Sequence, residues 1–328
     1  MITRRRFVLV GAIGLLVAIP QSRAQRAARI VRAGILQIST EAGGAHLRAA
    51  FRQGMGDLGW LEGKNVDYRI VSADGDVGRL HALANKLIEQ EVDVIVASSS
   101  ATALAAQRAT KTTPIVMVGV SNAVGLGLVA SLAKPEGNIT GISNQREEVL
   151  GKLIELLHAV TPGARRIAIL LNENNPSYVG LWTAAQSACA ALDLAPLRVI
   201  ASTPAQLGAA VDQIVRQQSQ AVIVVPDPVY LNERVKLQEL MQPTRLPTAY
   251  GLREHVVAGG LLSYAADLAA SYRQAAKYVD KILKGARAAE LPVEQPTRYE
   301  LVINLKTAKA LGLAIPQSLL VRADEVIQ

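Results

Sequence analysis

The chain of 328 residues lacks the residue patterns that mark several functional classes. Its single cysteine, Cys189, excludes an intramolecular disulfide, and no cysteine follows the first apolar run to accept a lipid. Set in an alanine-rich helical stretch, Cys189 reads as a small buried packing residue rather than a nucleophile. Phenylalanine and tryptophan occur twice each and the basic residues are scattered, so no nucleic-acid footprint is present and no nucleic-acid partner is expected. The four histidines, His46, His81, His158 and His255, are far apart and lack zinc-site spacing. Gly125-Leu-Gly127 is followed by no Walker lysine, and no nucleophile elbow occurs. Neither enzymatic activity nor a metal or cofactor is expected.

Long hydrophobic runs are also missing. The first, Val8 to Ile19, holds about a dozen residues, too few to span a bilayer. It follows Thr3-Arg-Arg-Arg-Phe7 and precedes Ser22-Arg-Ala24, which has small residues where a signal peptidase cuts. Residues 1–24 are therefore expected to be a signal peptide cleaved near Ala24, and the paired arginines resemble a twin-arginine export signal. An N-terminal core helix would instead set Arg4, Arg5 and Arg6 beside a segment with no amphipathic face. The leader carries those three arginines, Arg23 and no acid, so its removal lowers the formal charge from +8 to +4. A soluble periplasmic protein, monomeric, is the expected state.

What the chain does contain is a repeated junction. Val92-Asp-Val-Ile-Val-Ala-Ser-Ser-Ser-Ala-Thr102 is an apolar strand ending in hydroxyls at the start of a helix, where free backbone N–H groups and a helix dipole suit a small anionic or zwitterionic ligand. Ile167 to Pro176 and Ala221 to Pro228 repeat the form, ending in Asn172-Glu-Asn-Asn-Pro176 and Pro226-Asp-Pro228. Strand and helix patterns alternate from 32 to 118 and the rhythm restarts after Asn144, where Leu150, Leu153, Ile154 and Leu157 mark one helix face. This predicts an α/β fold of two doubly wound lobes, each with a parallel sheet covered by helices on both faces. Gly259-Gly260 looks like a linker feeding a further strand, and Gly285 and Gly312 sit where helices end.

The order of residues carries a resemblance to substrate-binding proteins of ABC importers, in the type I periplasmic-binding branch that includes tryptophan- and aromatic-amino-acid-binding members. It rests on Phe51-Arg-Gln-Gly-Met-Gly-Asp-Leu-Gly-Trp60, Glu62-Gly-Lys-Asn65, Gly125 to Pro135, Gly137-Asn-Ile-Thr-Gly141, Leu291-Pro-Val-Glu-Gln-Pro296, and most specifically Glu300 to Leu313 with Leu320 to Glu325. The resemblance implies two lobes joined by three crossover strands, near 143–144, 259–263 and 296–301. Lobe 1 would comprise 29–144 with 262–298, and lobe 2 would comprise 145–261 with 299–328. It also implies a small-molecule ligand, an ABC permease and ATPase in the inner membrane as partners, and closure of a hinged trap. A sensor that presents its closed form to a membrane receptor is the alternative.

Strand ends assemble the expected pocket. Thr40, Ser98, Ser99, Ser100, Thr102, Ser121 and Asn122 come from the first lobe, Asn174, Asn175, Asp227, Tyr250, Arg253 and Glu254 from the second, and Asn144 and Tyr264 from the hinge. By analogy with amino-acid-binding relatives, Ser99, Ser100 and Thr102 would hold a carboxylate and Asp227 an ammonium group. The plainer alternatives are that the serines cap a helix and that Asp227-Pro228 starts a turn. Gly251, Leu252 and His255 surround Arg253 where family members carry an aromatic residue, which argues against aromatic stacking. Asp227→Ala, and Ser100→Ala with Thr102→Ala, are expected to weaken binding without lowering the melting temperature.

Overall fold

The computed structural model describes residues 29–328, so the expected signal peptide, its twin-arginine character and its cleavage site lie outside the described residues. A five-stranded sheet contains β1 (Val31–Gln37), β2 (Val66–Ser72), β3 (Val94–Ala97), β4 (Ile115–Ser121) and β5 (Ile139–Asn144) in the order β2-β1-β3-β4-β5. Every pairing in it is parallel. Its crossovers are α1 (Ala45–Asp57), α2 (Leu80–Glu89) and α3 (Ser100–Ala109). Central strands such as β3 are buried along their whole length, as helices on both faces require.

After β5 the chain enters α4 (Arg146–Val160), which lies on the second sheet. That sheet adds β6 (Arg166–Leu171), α5 (Tyr178–Ala191), β7 (Ala195–Ile200), α6 (Leu207–Arg216), β8 (Ala221–Val224), α7 (Pro228–Asn232), α8 (Arg234–Met241), β9 (Thr248–Tyr250), α9 (Arg253–Val257) and β10 (Leu262–Ala266). Next, α10 (Leu268–Leu283) returns to the first lobe, followed by β11 (Tyr299–Asn304), α11 (Leu305–Leu311), α12 (Gln317–Arg322) and β12 (Glu325–Ile327) back on the second. The seven strands run in the order β12-β11-β10-β9-β8-β6-β7.

Two expectations need correction. The sheet is not wholly parallel, because β10 and β11 pair antiparallel. The segment between them, α10, packs in the other lobe, so no β-α-β crossover forces β11 into the direction of β10. The second crossing also comes at Asp267 rather than at 259–263, since β10 is an interior strand of the second sheet, with Leu262 and Ser263 fully buried. Gly259-Gly260 is the turn that ends α9, with Gly259 at φ 114° and the Gly260 N–H bonded to the His255 carbonyl.

Helix α10 is capped at its start and tied to the first lobe near its end. Asp267 caps its start by accepting from Ala270 N–H at 3.0 Å, and Trp60 Nε1 donates to Asp280 near its end at 2.9 Å. Between these, Gly54 of α1 lies so close to α10 that an added Cβ would sit 3.0 Å from the Arg273 carbonyl. The apolar cores occupy both faces of the first sheet and the interior of the second lobe. Among the described residues, no helix is long and apolar enough to cross a membrane, and no cluster of metal-ligating side chains occurs.

Candidate functional site

The carboxyl ends of β3, β6, β8 and β9 converge where the lobes meet, and three adjoining voids of about 40, 20 and 10 Å³ run along that seam. A larger cavity of about 680 Å³ lies elsewhere, on the flank of the second lobe between α8 and α11. It borders Thr248 and Leu261, at the starts of β9 and β10. Ligands of open α/β sheets sit at the carboxyl ends of strands, so the smaller interlobe seam is the candidate site.

Asp227 anchors the second-lobe wall. It follows β8, is 2% exposed and borders the two seam voids of about 40 and 10 Å³. Asn172 Nδ2 donates to its Oδ1 at 3.1 Å, Val229 N–H donates to the same oxygen at 2.9 Å, and Asn175 Nδ2 donates to Oδ2 at 2.8 Å. The residue that starts the turn is therefore also the N-cap of α7. Asn172 and Asn175, at the end of β6, hold its carboxylate in one orientation.

On the first lobe the serine run divides its labour. Ser98 borders the void of about 40 Å³ and its side chain hydrogen-bonds Tyr272 of α10. Burial pushes the Tyr272 hydroxyl up to about 12, and the bond to Ser98 opposes that shift. Ser99 and Thr102 form a capping box, with Ser99 N–H donating to Thr102 Oγ1 at 2.8 Å and Thr102 N–H donating to Ser99 Oγ at 3.3 Å. Ser100 crosses the seam: its hydroxyl lies 3.3 Å from that of Ser177, before α5, while also accepting from Ser121 N–H.

A second bridge joins the lobes at the rim, where His46 Nε2 and Glu254 Oε1 are 3.2 Å apart. Burial pushes the Glu254 carboxyl up, but the His46 hydrogen bond, its own backbone and the charges of His46 and His255 leave it below the ordinary range. Next to it, His255 is stacked on Tyr250 with centroids 4.9 Å apart. Burial drives its imidazole down to about 4, with Glu254 opposing and Arg234 adding to the shift.

Of the residues expected in the pocket, Ser98, Ser99, Ser100, Asn174, Asn175, Asp227 and Asn144 border the seam voids. The others are used elsewhere. Thr40 closes a turn by accepting from Gly43 N–H, and Thr102 is consumed by the cap. Ser121 is fully buried behind Ser100, and Asn122 is an exposed turn residue at φ 47° that accepts from Gly125 N–H. Tyr250 faces the outer cavity and donates to Gln238 Oε1 at 3.1 Å. Arg253 pairs with Glu325 of β12, and Tyr264 stacks on Tyr299 beside the crossing.

Sequence reasoning missed the apolar lining: Leu47, Leu231, Leu252, Leu268 and Tyr272. Leucines in helical stretches give no signal of a ligand wall. Leu268 and Tyr272 sit on α10, which only the three crossings bring to the seam.

A family model described as ABC transporter substrate binding protein matches residues 33–327. A tyrosine-binding protein of Clostridioides difficile (strain R20291) is 26% identical over 267 residues, spanning 81% of this chain and 76% of the relative. The solved structure of a conserved domain protein from Vibrio cholerae superposes with a TM-score of 0.86 at 26% identity, covering 91% of this chain and all of that one. An ABC domain in complex with L-Trp from Streptococcus pneumoniae gives 0.84 at 24% identity, covering 90% of this chain and 99% of that one, and supports the same fold. Two lobes joined by three crossings, strand ends facing across a seam, and a match over almost the whole described chain lead to one conclusion: the chain belongs to the ABC transporter substrate-binding protein family, whose members bind solutes rather than transform them.

Proposed function

We propose that the protein is the extracytoplasmic solute-binding component of an ABC importer, which traps an amino acid or related small carboxylate between its lobes and delivers it to the membrane permease. The observation that carries this reading is Asp227: a buried carboxylate, oriented by Asn172 and Asn175, bordering a void whose opposite wall holds the Ser98 hydroxyl. A zwitterion offers an ammonium group to the carboxylate and a carboxylate to the hydroxyls and the start of α3. Burying either charge without a partner is costly, so such a ligand favours the form in which both walls contribute. Ser100 and Ser177 then meet across the seam only when the lobes are together. Closure follows from differential contact, since a ligand touching one lobe alone would leave the equilibrium where it stood. Export to the periplasm and a monomeric state complete the proposal.

The test is a thermal-shift screen of the purified protein against amino acids, aromatic acids and nucleobases. A ligand at about a hundredfold excess over its Kd stabilises the native state by roughly 2.7 kcal/mol, a shift easily read. Stabilisation by an amino acid, weakened by Asp227→Asn, supports the reading. Stabilisation by a nucleobase alone contradicts it.

A further inference from the structure

The cavity of about 680 Å³ on the flank of the second lobe has the size of a small-molecule site, such sites commonly measuring about 300–1,000 Å³. Its two long walls are helix faces. Val235, Gln238 and Glu239 lie one turn apart on α8, and Lys306, Thr307 and Ala310 repeat that spacing on α11. From Val235 to Met241 the α8 wall runs about 9 Å at the helical rise. None of the residues lining this cavity lines any of the three seam voids.

The floor is held in place before any guest arrives. Tyr250 is 1% exposed and stacked on His255, and Gly260 packs so tightly against it that an added Cβ would sit 2.5 Å from Tyr250 Cε2. The Tyr250 hydroxyl donates to Gln238 Oε1, and Gln238 Nε2 is buried with no acceptor among the described residues. A buried N–H in that position is unfavourable unless an oxygen meets it. Around this polar point the lining is aliphatic, with Met241, Leu246, Leu261 and Leu311. The charged lining residues are Arg245 and Lys306 against Glu239, all three exposed at the rim. Arg245 Nη2 donates to the Ala310 carbonyl at 3.0 Å, which holds the guanidinium beside α11. A cationic rim thus stands over an apolar interior that contains one unmet donor.

We infer that this cavity is a second ligand site, for a medium-chain carboxylate that carries an oxygen at its far end. The chain lies between α8 and α11, the carboxylate meets Arg245 and Lys306 at the rim, and the far oxygen accepts from Gln238 Nε2. A guest with these three parts matches the aliphatic walls, the charge of the rim and the unmet donor together. The site is independent of whatever the seam holds.

Calorimetric titration of the wild-type protein with ω-hydroxyoctanoate tests it, beside ω-aminooctanol, which replaces the carboxylate by an ammonium group. The acid should bind about tenfold more tightly than the amine. Ala310→Trp, at an exposed position of the α11 wall, fills the cavity and should abolish the heat of the acid. Arg245→Gln with Lys306→Gln leaves the cavity open and should erase the preference for the acid. Melting curves establish that each variant is folded, and the wild-type comparison of acid with amine decides even if no variant is recovered. No heat from the acid, an amine that binds as tightly, acid binding that survives Ala310→Trp, or a preference that survives the loss of both cations would each overturn the inference. None of these results would touch the reading of the seam.

Discussion

A Cβ placed on Gly43, in the loop before α1, would lie 3.2 Å from Cγ of Asn232, the last residue of α7. One residue belongs to each lobe, so the bare backbone of the first lobe receives a side chain of the second. A branched side chain at position 43, pressed against Asn232, would act as a wedge. Gly43→Val is expected to weaken ligand binding several-fold and also to lower the melting temperature of the ligand-free protein, because parting the lobes withdraws Leu231 and Leu252 of the second from the apolar cluster of the first. Calorimetry beside thermal melts checks both halves of that statement.

The same contact supports a cross-link. Disulfides need Cβ atoms about 3.5–4.5 Å apart, and a Cβ at position 43 would lie 3.2 Å from Asn232 Cγ, which is one bond beyond the Cβ of residue 232. Gly43→Cys with Asn232→Cys is expected to oxidise to an intramolecular bridge, visible as a mobility shift reversed by reductant. Cys189 is buried in α5, where burial pushes its thiol up to about 11, so it should not compete.

Asp227 has a stability role that the sequence alone did not show. Because it caps α7 and accepts from Asn172 and Asn175, its loss leaves buried donors unsatisfied. Asp227→Ala should therefore lower stability by about 1–3 kcal/mol as well as abolish binding. Thr102→Ala breaks the capping box of α3 and should cost about 1 kcal/mol, so Ser100→Ala alone is the cleaner test of the serine wall. Urea titration of each variant in the absence of ligand measures these costs.

His255 predicts an acid sensitivity. Its imidazole falls from the ordinary 6.5 to about 4 in the folded chain, chiefly through burial. Between those values the unfolded chain binds the extra proton, so stability declines as pH drops from 6.5 towards 4, by about 3 kcal/mol in all. The lowered Glu254 carboxyl acts in the same direction at the acid end, its contribution being lost as pH falls through its folded value. His255→Phe, which keeps a ring against Tyr250, should flatten the dependence of melting temperature on pH across that window. An unchanged slope would place the acid sensitivity elsewhere.

Gly141 of β5 sits at φ 127°, with the backbone of Met117 where a Cβ would go, including the Met117 nitrogen at 2.7 Å. Close approach and an unfavourable backbone angle combine here, beside the register shift between Met117 and Val120. Gly141→Ala should cost on the order of 2–4 kcal/mol, read as a fall in melting temperature without ligand.

The fold was legible because long apolar strands and amphipathic helices alternate, a pattern that survives without tertiary information. Strand β8 and helix α4 are examples, announced by Ala221 to Val224 and by the spacing of Leu150, Leu153, Ile154 and Leu157. Short elements were not, since α7 and α9 have five residues each, too few for a helical period. The hydroxyls and carboxylate of the site were visible as polar strand ends, and Ser98, Ser100 and Asp227 do border the seam. Tyr250 and Arg253 show the limit of that rule: both follow or end β9, but alternation along the strand turns Tyr250 to the outer face, and Glu325 draws Arg253 to β12. The leucine wall was hidden because it is assembled from residues separated by most of the chain.

Trapping a solute between the lobes requires that ligand enter through the seam. Calorimetric titration of the Gly43→Cys, Asn232→Cys protein, oxidised and then reduced, with the amino acid that stabilises the wild type most in the thermal screen, tests this most directly. Entry through an opening seam predicts that the heat of binding is lost in the cross-linked protein and returns on reduction. Equal heats from the fully oxidised and reduced forms would contradict it and place the ligand outside the seam.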